Sequence, residues 1–261
     1  MDGFLPGNMA ALVDVGVPRL LRRKLNSLGF QGESELRCFL DKMRLRGSIR
    51  RGKDIVGAGD TPRHMTVLLA GVACLYETLE SGERQIYDFY YPGEFCDLHR
   101  YVKLEAVAEP AVGALTDCSI GIIEYRDLDQ AIERHRTLAL ALWRATMLEA
   151  SILRERLANA SQRPALERVS HLLCEQLHRR QAIGIDGGVV PLTQIDLADA
   201  AGLSVVHMNR VLQNLRRLGV ISANSRTLEV VNRERLVEIA NFDSRYLTMP
   251  AALSKWEVRT E

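Results

Sequence analysis

One short segment carries side chains suited to reading a surface of hydrogen-bond donors and acceptors. It runs Ser204-Val205-Val206-His207-Met208-Asn209-Arg210, with Gln213 and Arg217 beyond it. At helical spacing Val205, Val206, His207, Asn209, Arg210, Gln213 and Arg217 share one face. Met208, Val211, Leu212, Leu215 and Leu218 take the other, which is expected to point inward. Such an outer face matches the chemistry of base edges. Arginine bonds guanine bidentately, Asn and Gln pair with adenine, and an apolar side chain meets the thymine methyl. No set of residues suggests turnover. His64, His99 and His135 are isolated, and there is no H-x-H pair. His171, Cys174 and His178 recur at i, i+3 and i+7 and are metal-compatible types. Three ligands along one straight helix span too far to share an ion easily, so packing is the expected role. No metal and no cofactor is expected.

The flanking residues are what such a face needs to be held outward. Thr193 precedes a short helix and has Asp196 three residues on, close to a capping box. Leu197, Ala198 and Ala201 give that helix an apolar side, and Gly202 permits a tight turn. Ser204 caps a second helix that ends at Gly219. Val220-Ile221-Ser222 and Leu228-Glu229-Val230-Val231 read as two strands around the turn Asn224-Ser225-Arg226. A hairpin directly after the second helix is the wing of a winged helix-turn-helix, with Arg226 facing phosphate. A plain helical hairpin uses similar turns, but cap, glycine, cap and wing in order favour DNA binding.

The rest of the chain divides by pattern. The 261 residues carry a net charge of +1, with 47% hydrophobic and 26% charged. Residues 161–240 hold ten Lys+Arg and eight Asp+Glu, so no strongly basic domain is concealed. A histone-like protein binding by bulk charge is therefore disfavoured. No apolar run is long enough to span a membrane. The N-terminus has no secretory pattern, so the cytoplasm is the expected compartment. The five cysteines, Cys38, Cys74, Cys96, Cys118 and Cys174, form no C-x-x-C pair and read as reduced, buried thiols. A redox sensor would best fit Cys96, but the adjacent Asp97 opposes thiolate formation.

Pro18 to Leu40 reads as helical with a break at Gly29. Residues 44–125 are punctuated by glycine, with strand-like runs such as Thr66–Leu69, Val72–Tyr76, Gln85–Tyr90 and Ser119–Ile123. Ser81-Gly82-Glu83 reads as a hairpin turn, and the spacing suggests a jelly-roll barrel. From Leu128 to Ala160 there is no Gly or Pro, and apolar or small residues recur at steps of 3 and 4. Leu142, Thr146, Ala150, Leu153 and Leu157 lie on that stripe and are expected at a homodimer seam. An intramolecular helix lying across two domains is the other reading. The expected fold is α+β. It has an N-terminal sensor region (1–127), a long dimerisation helix (128–160), a winged helix-turn-helix (161–240) and a tail (241–261) in which no motif is evident.

This order of parts resembles the Crp/Fnr family of bacterial transcription regulators over roughly residues 20–240. In the barrel the resemblance rests on Tyr91-Pro92-Gly93-Glu94-Phe95 and Leu69-Ala70-Gly71-Val72-Ala73. In the C-terminal part it rests on Leu192-Thr193-Gln194 through Arg210 and on Gly219-Val220-Ile221. The resemblance implies a cyclic-nucleotide-binding-like barrel and a homodimer on a palindromic operator in double-stranded DNA, with RNA polymerase as a further partner. It implies that Arg210 reads a base edge and that Thr193 and Gln194 touch phosphates. Val205 and Val206 stand where the family often has Arg or Val and then Glu, so the family's best-known half-site is not expected.

The resemblance also places an effector pocket for an unidentified small molecule around Gly93, Glu94, Cys96 and Arg100. The family's phosphate-binding Arg is missing from Glu105-Ala106-Val107-Ala108-Glu109-Pro110-Ala111-Val112-Gly113-Ala114, and Arg100 and Lys103 are the only nearby cations. Tight cyclic-nucleotide binding is therefore not expected. Only Cys38 lies in the first 70 residues, so the iron–sulfur cluster of the oxygen-sensing branch is not expected either. Two other readings are a cupin-type barrel metalloprotein and an effector-independent regulator with a purely structural barrel.

Overall fold

The computed structural model describes residues 17–30, 32–61, 63–102, 110–222 and 228–248. Among the described residues two helices come first, α1 (Val17–Ser27) and α2 (Glu33–Lys42), on either side of the expected break at Gly29. Strands β1 (Arg44–Ile49), β2 (Asp54–Val56), β3 (His64–Ala70), β4 (Ala73–Thr78) and β5 (Arg84–Tyr90) follow. After the short helix α3 (Leu98–Val102) come β6 (Ala111–Ala114) and β7 (Cys118–Glu124). They form two antiparallel sheets, in the orders β1-β7-β3 and β2-β6-β4-β5. Side-chain alternation explains why β3 is apolar almost throughout. Met65, Val67 and Leu69 enter the core beneath the helices, and Leu68 enters the core between the sheets. The β4–β5 hairpin closes where expected, with the Leu79 amide donating to the Glu83 carbonyl at 2.8 Å.

The single helix expected from Leu128 to Ala160 is two helices, α4 (Tyr125–Arg134) and α5 (Arg136–Gln162). The backbone leaves helical geometry at His135, with φ −129° and ψ 85°. At 27 residues α5 is about 40 Å long. Its inner face buries Leu138, Ala141, Leu142 and Ala145 against α1, α2 and the barrel. Leu142 thus belongs to the intramolecular core, a correction to its expected place at a seam between subunits.

Helix α6 (Ala165–Ala182), strand β8 (Val189–Val190), helices α7 (Gln194–Ala201) and α8 (Val205–Arg217), and strand β9 (Leu228–Glu229) follow. Helix α9 (Arg233–Ala240) then follows, absent from the sequence reading although Asn232 caps it by accepting from the Arg235 amide at 2.9 Å. Part of the expected wing is described. β9 pairs with β8, and Val220–Ser222 contributes one bridge, Ile221 to Val230. The turn bearing Asn224, Ser225 and Arg226 lies outside the described residues, as does the side chain of Cys38.

One apolar core runs through α6, α7, α8 and α9 and continues into barrel residues Val72, Cys74, Ile86, Phe89, Tyr91 and Leu115. The C-terminal domain is therefore docked on its own barrel. The start of the tail packs as well. A 3-10 turn, Ser244–Leu247, sets Tyr246 against His171, with ring centroids 5.8 Å apart and stacked. Among the described residues no helix is long and apolar enough to cross a membrane.

Candidate nucleic-acid interface

The helix-turn-helix is built by local hydrogen bonds. Thr193 caps α7 in a complete capping box. Its hydroxyl accepts from the Asp196 amide at 3.2 Å, and the Asp196 carboxylate accepts from the Thr193 amide at 2.9 Å. Gly202 follows α7 in the left-handed region, at φ +61°, which a side chain would disfavour. Ser204 then caps α8 by accepting from the His207 amide at 3.2 Å. Leu197, Ala198 and Ala201 are buried on α7, and Met208, Val211, Leu212 and Leu215 on α8. The opposite face of α8 is open. Val205, Val206, His207, Asn209, Arg210, Gln213 and Arg217 are all exposed, Val206 by 64%. Gln194 is exposed beside the half-buried Thr193. Leu218, expected inward, is exposed because the helix ends at Arg217 and the chain turns away.

The first helix of this motif is tied to the barrel. Arg84 on β5 donates from Nη2 to Asp196 and from Nε to Asp199, each at 2.7 Å. Deeper lies a buried junction of charges. Arg179 on α6 donates to Asp88 at 2.7 Å and Glu94 at 2.9 Å, and Glu94 also accepts from Lys24 of α1 at 2.7 Å. Arg156 on α5 donates to Glu175 at 2.6 Å and to Asp88 at 3.2 Å. Tyr91 donates to the side-chain carbonyl of Gln176. Four elements, α1, β5, α5 and α6, therefore meet in one ionic cluster. Burial pushes the Glu94 carboxyl up, but Arg179, Lys24 and the Tyr91 amide outweigh it and hold it at about 2. Its partners lie 70 and 85 residues away, so no local pattern announced them.

The four expected pocket residues do not converge. Glu94 lines a cavity of about 10 Å³ with Lys24, Asp88, Glu149 and Arg179, about the room that one water molecule needs. Gly93, Cys96 and Arg100 do not line it. Arg100 is buried and donates to the carbonyls of Asp60, Gly57 and Pro110. Cys74, Cys96, Cys118 and Cys174 are buried thiols. Burial pushes Cys74 and Cys174 up to about 12, and burial and then Asp97 push Cys96 up.

Helix α5 presents a second exposed feature. Leu140, Trp143, Met147, Ala150 and Leu157 recur at steps of 3, 4, 3 and 7, with Leu153 beside them. Trp143 is 67% exposed and Leu157 70%. Leu153 and Leu157 thus lie on the outer side as expected, Thr146 and Ala150 are half-buried, and Leu140, Trp143 and Met147 were not foreseen.

Residues 46–135 match the family model described as a cyclic nucleotide-binding domain, and residues 167–239 match that of a Crp-like helix-turn-helix domain. The transcriptional activator protein FnrL of Cereibacter sphaeroides is 26% identical over 219 residues, covering 81% of this chain and 87% of FnrL. The nitrogen fixation regulation protein FixK of Rhizobium meliloti is 27% identical over 202 residues, covering 76% of this chain and 88% of FixK. The solved structure of FixK2 from Bradyrhizobium japonicum superposes with a TM-score of 0.65 at 24% identity, covering 74% of this chain and 95% of that one.

Proposed function

We propose that this chain, which belongs to the Crp/Fnr family of transcription regulators and carries its DNA-binding helix-turn-helix, acts as a homodimer on a palindromic operator, with the outer face of α8 in the major groove. The carrying observation is that every polar side chain on that face is exposed while the opposite face is buried. Arg210 pairs with guanine, His207, Asn209 and Gln213 read neighbouring edges, and Val205 and Val206 meet thymine methyls. Thr193, Gln194, Ser204 and Arg217 fix the register on phosphates, as does Arg226. The α5 stripes of two subunits pack together and set the recognition helices about 34 Å apart. The protein works in the cytoplasm, and the relatives named as activators favour activation through RNA polymerase.

The barrel is read as a sensor that does not take a cyclic nucleotide. Among the described residues, the cavity that Glu94 lines is far below the roughly 300 Å³ of a small-molecule site. Arg100 is spent on carbonyls, and Arg179 is spent on carboxylates and the Phe89 carbonyl. A signal at the barrel reaches DNA by shifting α5 and the charges shared with α6. The test is Arg210→Ala. Specific affinity should fall by about 1–3 kcal/mol with the fold intact, because the side chain is exposed. Unchanged operator affinity would refute the assignment.

A further inference from the structure

Helices α5 and α6 are joined twice, once by the chain and once by the segment that follows α9. The covalent link is Arg163-Pro164, between Gln162 and Ala165. Both linker residues are non-helical, with ψ 140° and 152°, so no continuous helix fixes the angle between α5 and α6. The second link begins at Asn241, which ends α9 in the left-handed region at φ +44°. The Phe242 amide donates back to the Val237 carbonyl at 3.2 Å, and Asp243 caps the 3-10 turn by accepting from the Arg245 amide at 2.9 Å. That turn packs on both α5 and α6. Phe242 stands edge-on to His171 with ring centroids 4.9 Å apart, and Tyr246 stacks on the same ring. His171 is also held from α5, where Asn159 lies 2.8 Å from Nδ1 and Glu155 lies 3.3 Å from Nε2. Tyr246 donates to Oε2 of Glu175 at 3.0 Å. Glu175 is only 1% exposed, and its Oε1 accepts from Arg156 of α5 at 2.6 Å. Helix α5 and the tail turn thus grip the same two side chains of α6, His171 and Glu175.

We propose that Tyr246 is a positioning residue for DNA recognition. Through His171 and Glu175 it fixes the angle of α6 against α5, and with it the separation of the two recognition helices of the dimer. The proposal rests on the homodimer reading above. In that reading the subunits meet along α5, while α8 shares the apolar core of α6. The angle at the α5–α6 junction therefore sets which half-site spacing the dimer fits. A change of angle that withdrew Tyr246 would cost the ring contact and leave a buried carboxylate oxygen without this donor. The partners of Tyr246 lie on α6 and in Phe242, not on the exposed face of α8, so the reading of bases within a half-site is untouched.

The test uses the full chain with Tyr246→Ala. The operator is one that the wild-type protein selects from random-sequence duplexes, remade with about one or two base pairs added or removed between the half-sites. A duplex with a single half-site is the control. The preference for the selected spacing, read as a ratio of affinities, should fall at least about 5-fold, the low end of coupling between distinct sites. Affinity for the single half-site should not change. An unaltered ratio would overturn the proposal. So would an equal loss on every duplex, which would make Tyr246 a support of the C-terminal fold alone. Arg210→Ala on the single half-site reports the recognition reading separately. Should the wild type prefer no spacing, the dimer reading fails and the junction is read without DNA, by amide hydrogen exchange. Amides from Leu157 to Arg168 should then exchange at least about 2-fold faster in Tyr246→Ala, with those of α8 unchanged. Equal exchange would overturn the proposal. Should Tyr246→Ala fold poorly, Tyr246→Phe keeps the stacked ring and removes the donor to Glu175. It should lower the spacing ratio about 2-fold, and no change would again overturn the proposal.

Discussion

Ser204 and Thr193 each satisfy helix-end amides that would otherwise face solvent, and each does so with a partner three residues away. That locality made the caps, Gly202 and the outer face of α8 legible in sequence. Val206 is the informative position on that face. It is the most exposed apolar side chain at the start of α8, and it supplies no acceptor to cytosine. Val206→Glu should move the selected operator toward a C·G pair at one position of each half-site, by about 1–3 kcal/mol of discrimination. Sequence selection with both proteins reads this directly, and an unchanged operator would place Val206 away from the bases. Arg100 shows where such reading stops. As a cation near Gly93-Glu94 it suggested an anion site, yet its guanidinium meets carbonyls of the 57–60 turn and of Pro110, two segments that only the tertiary fold brings together.

Helix α5 was legible as a helix but not by face. Its middle, Leu138-Ala139-Leu140-Ala141-Leu142-Trp143, is apolar on every side, so a 3.6-residue period fits more than one stripe. Packing decides the matter. Leu138, Ala141, Leu142 and Ala145 cover α1, α2 and the barrel, which leaves Leu140, Trp143, Met147 and Leu157 uncovered. The break at His135 also had no Gly or Pro to mark it. Trp143→Glu combined with Leu157→Glu should convert the proposed dimer to monomer. The dimer dissociation constant should rise at least about 100-fold, about 3 kcal/mol, while helix content stays unchanged. Sedimentation at several concentrations measures this, and a persistent dimer would place the seam elsewhere.

Across the whole molecule, the barrel and the helix-turn-helix domain share charges rather than only an apolar seam. Glu94 has an ordinary value near 4.5 and is held at about 2 by Arg179, Lys24 and the Tyr91 amide against the upward push of burial. A carboxyl depressed in the folded state adds stability above pH 4.5 and loses it as pH falls toward 2. Its share is on the order of 3 kcal/mol. Arg179→Gln should cost about 3–5 kcal/mol at pH 7, because it leaves buried carboxylates unpaired, and should flatten the acid loss. Denaturant unfolding at pH 7, 4 and 3 checks both, and an unaltered acid profile would remove Glu94 from the account. None of these pairs was legible beforehand, since Arg84 lies 112 residues from Asp196. That last pair bears on how the protein can be taken apart. Asp196 shapes the start of α7 from within, while its charge is balanced from the barrel by Arg84. A fragment of residues 165–240 grafted onto a foreign sensor would carry Asp196 and Asp199 without that counter-charge, next to the phosphates it must approach. The reading head as cut therefore loses two ion pairs that a chimera retaining β5 keeps.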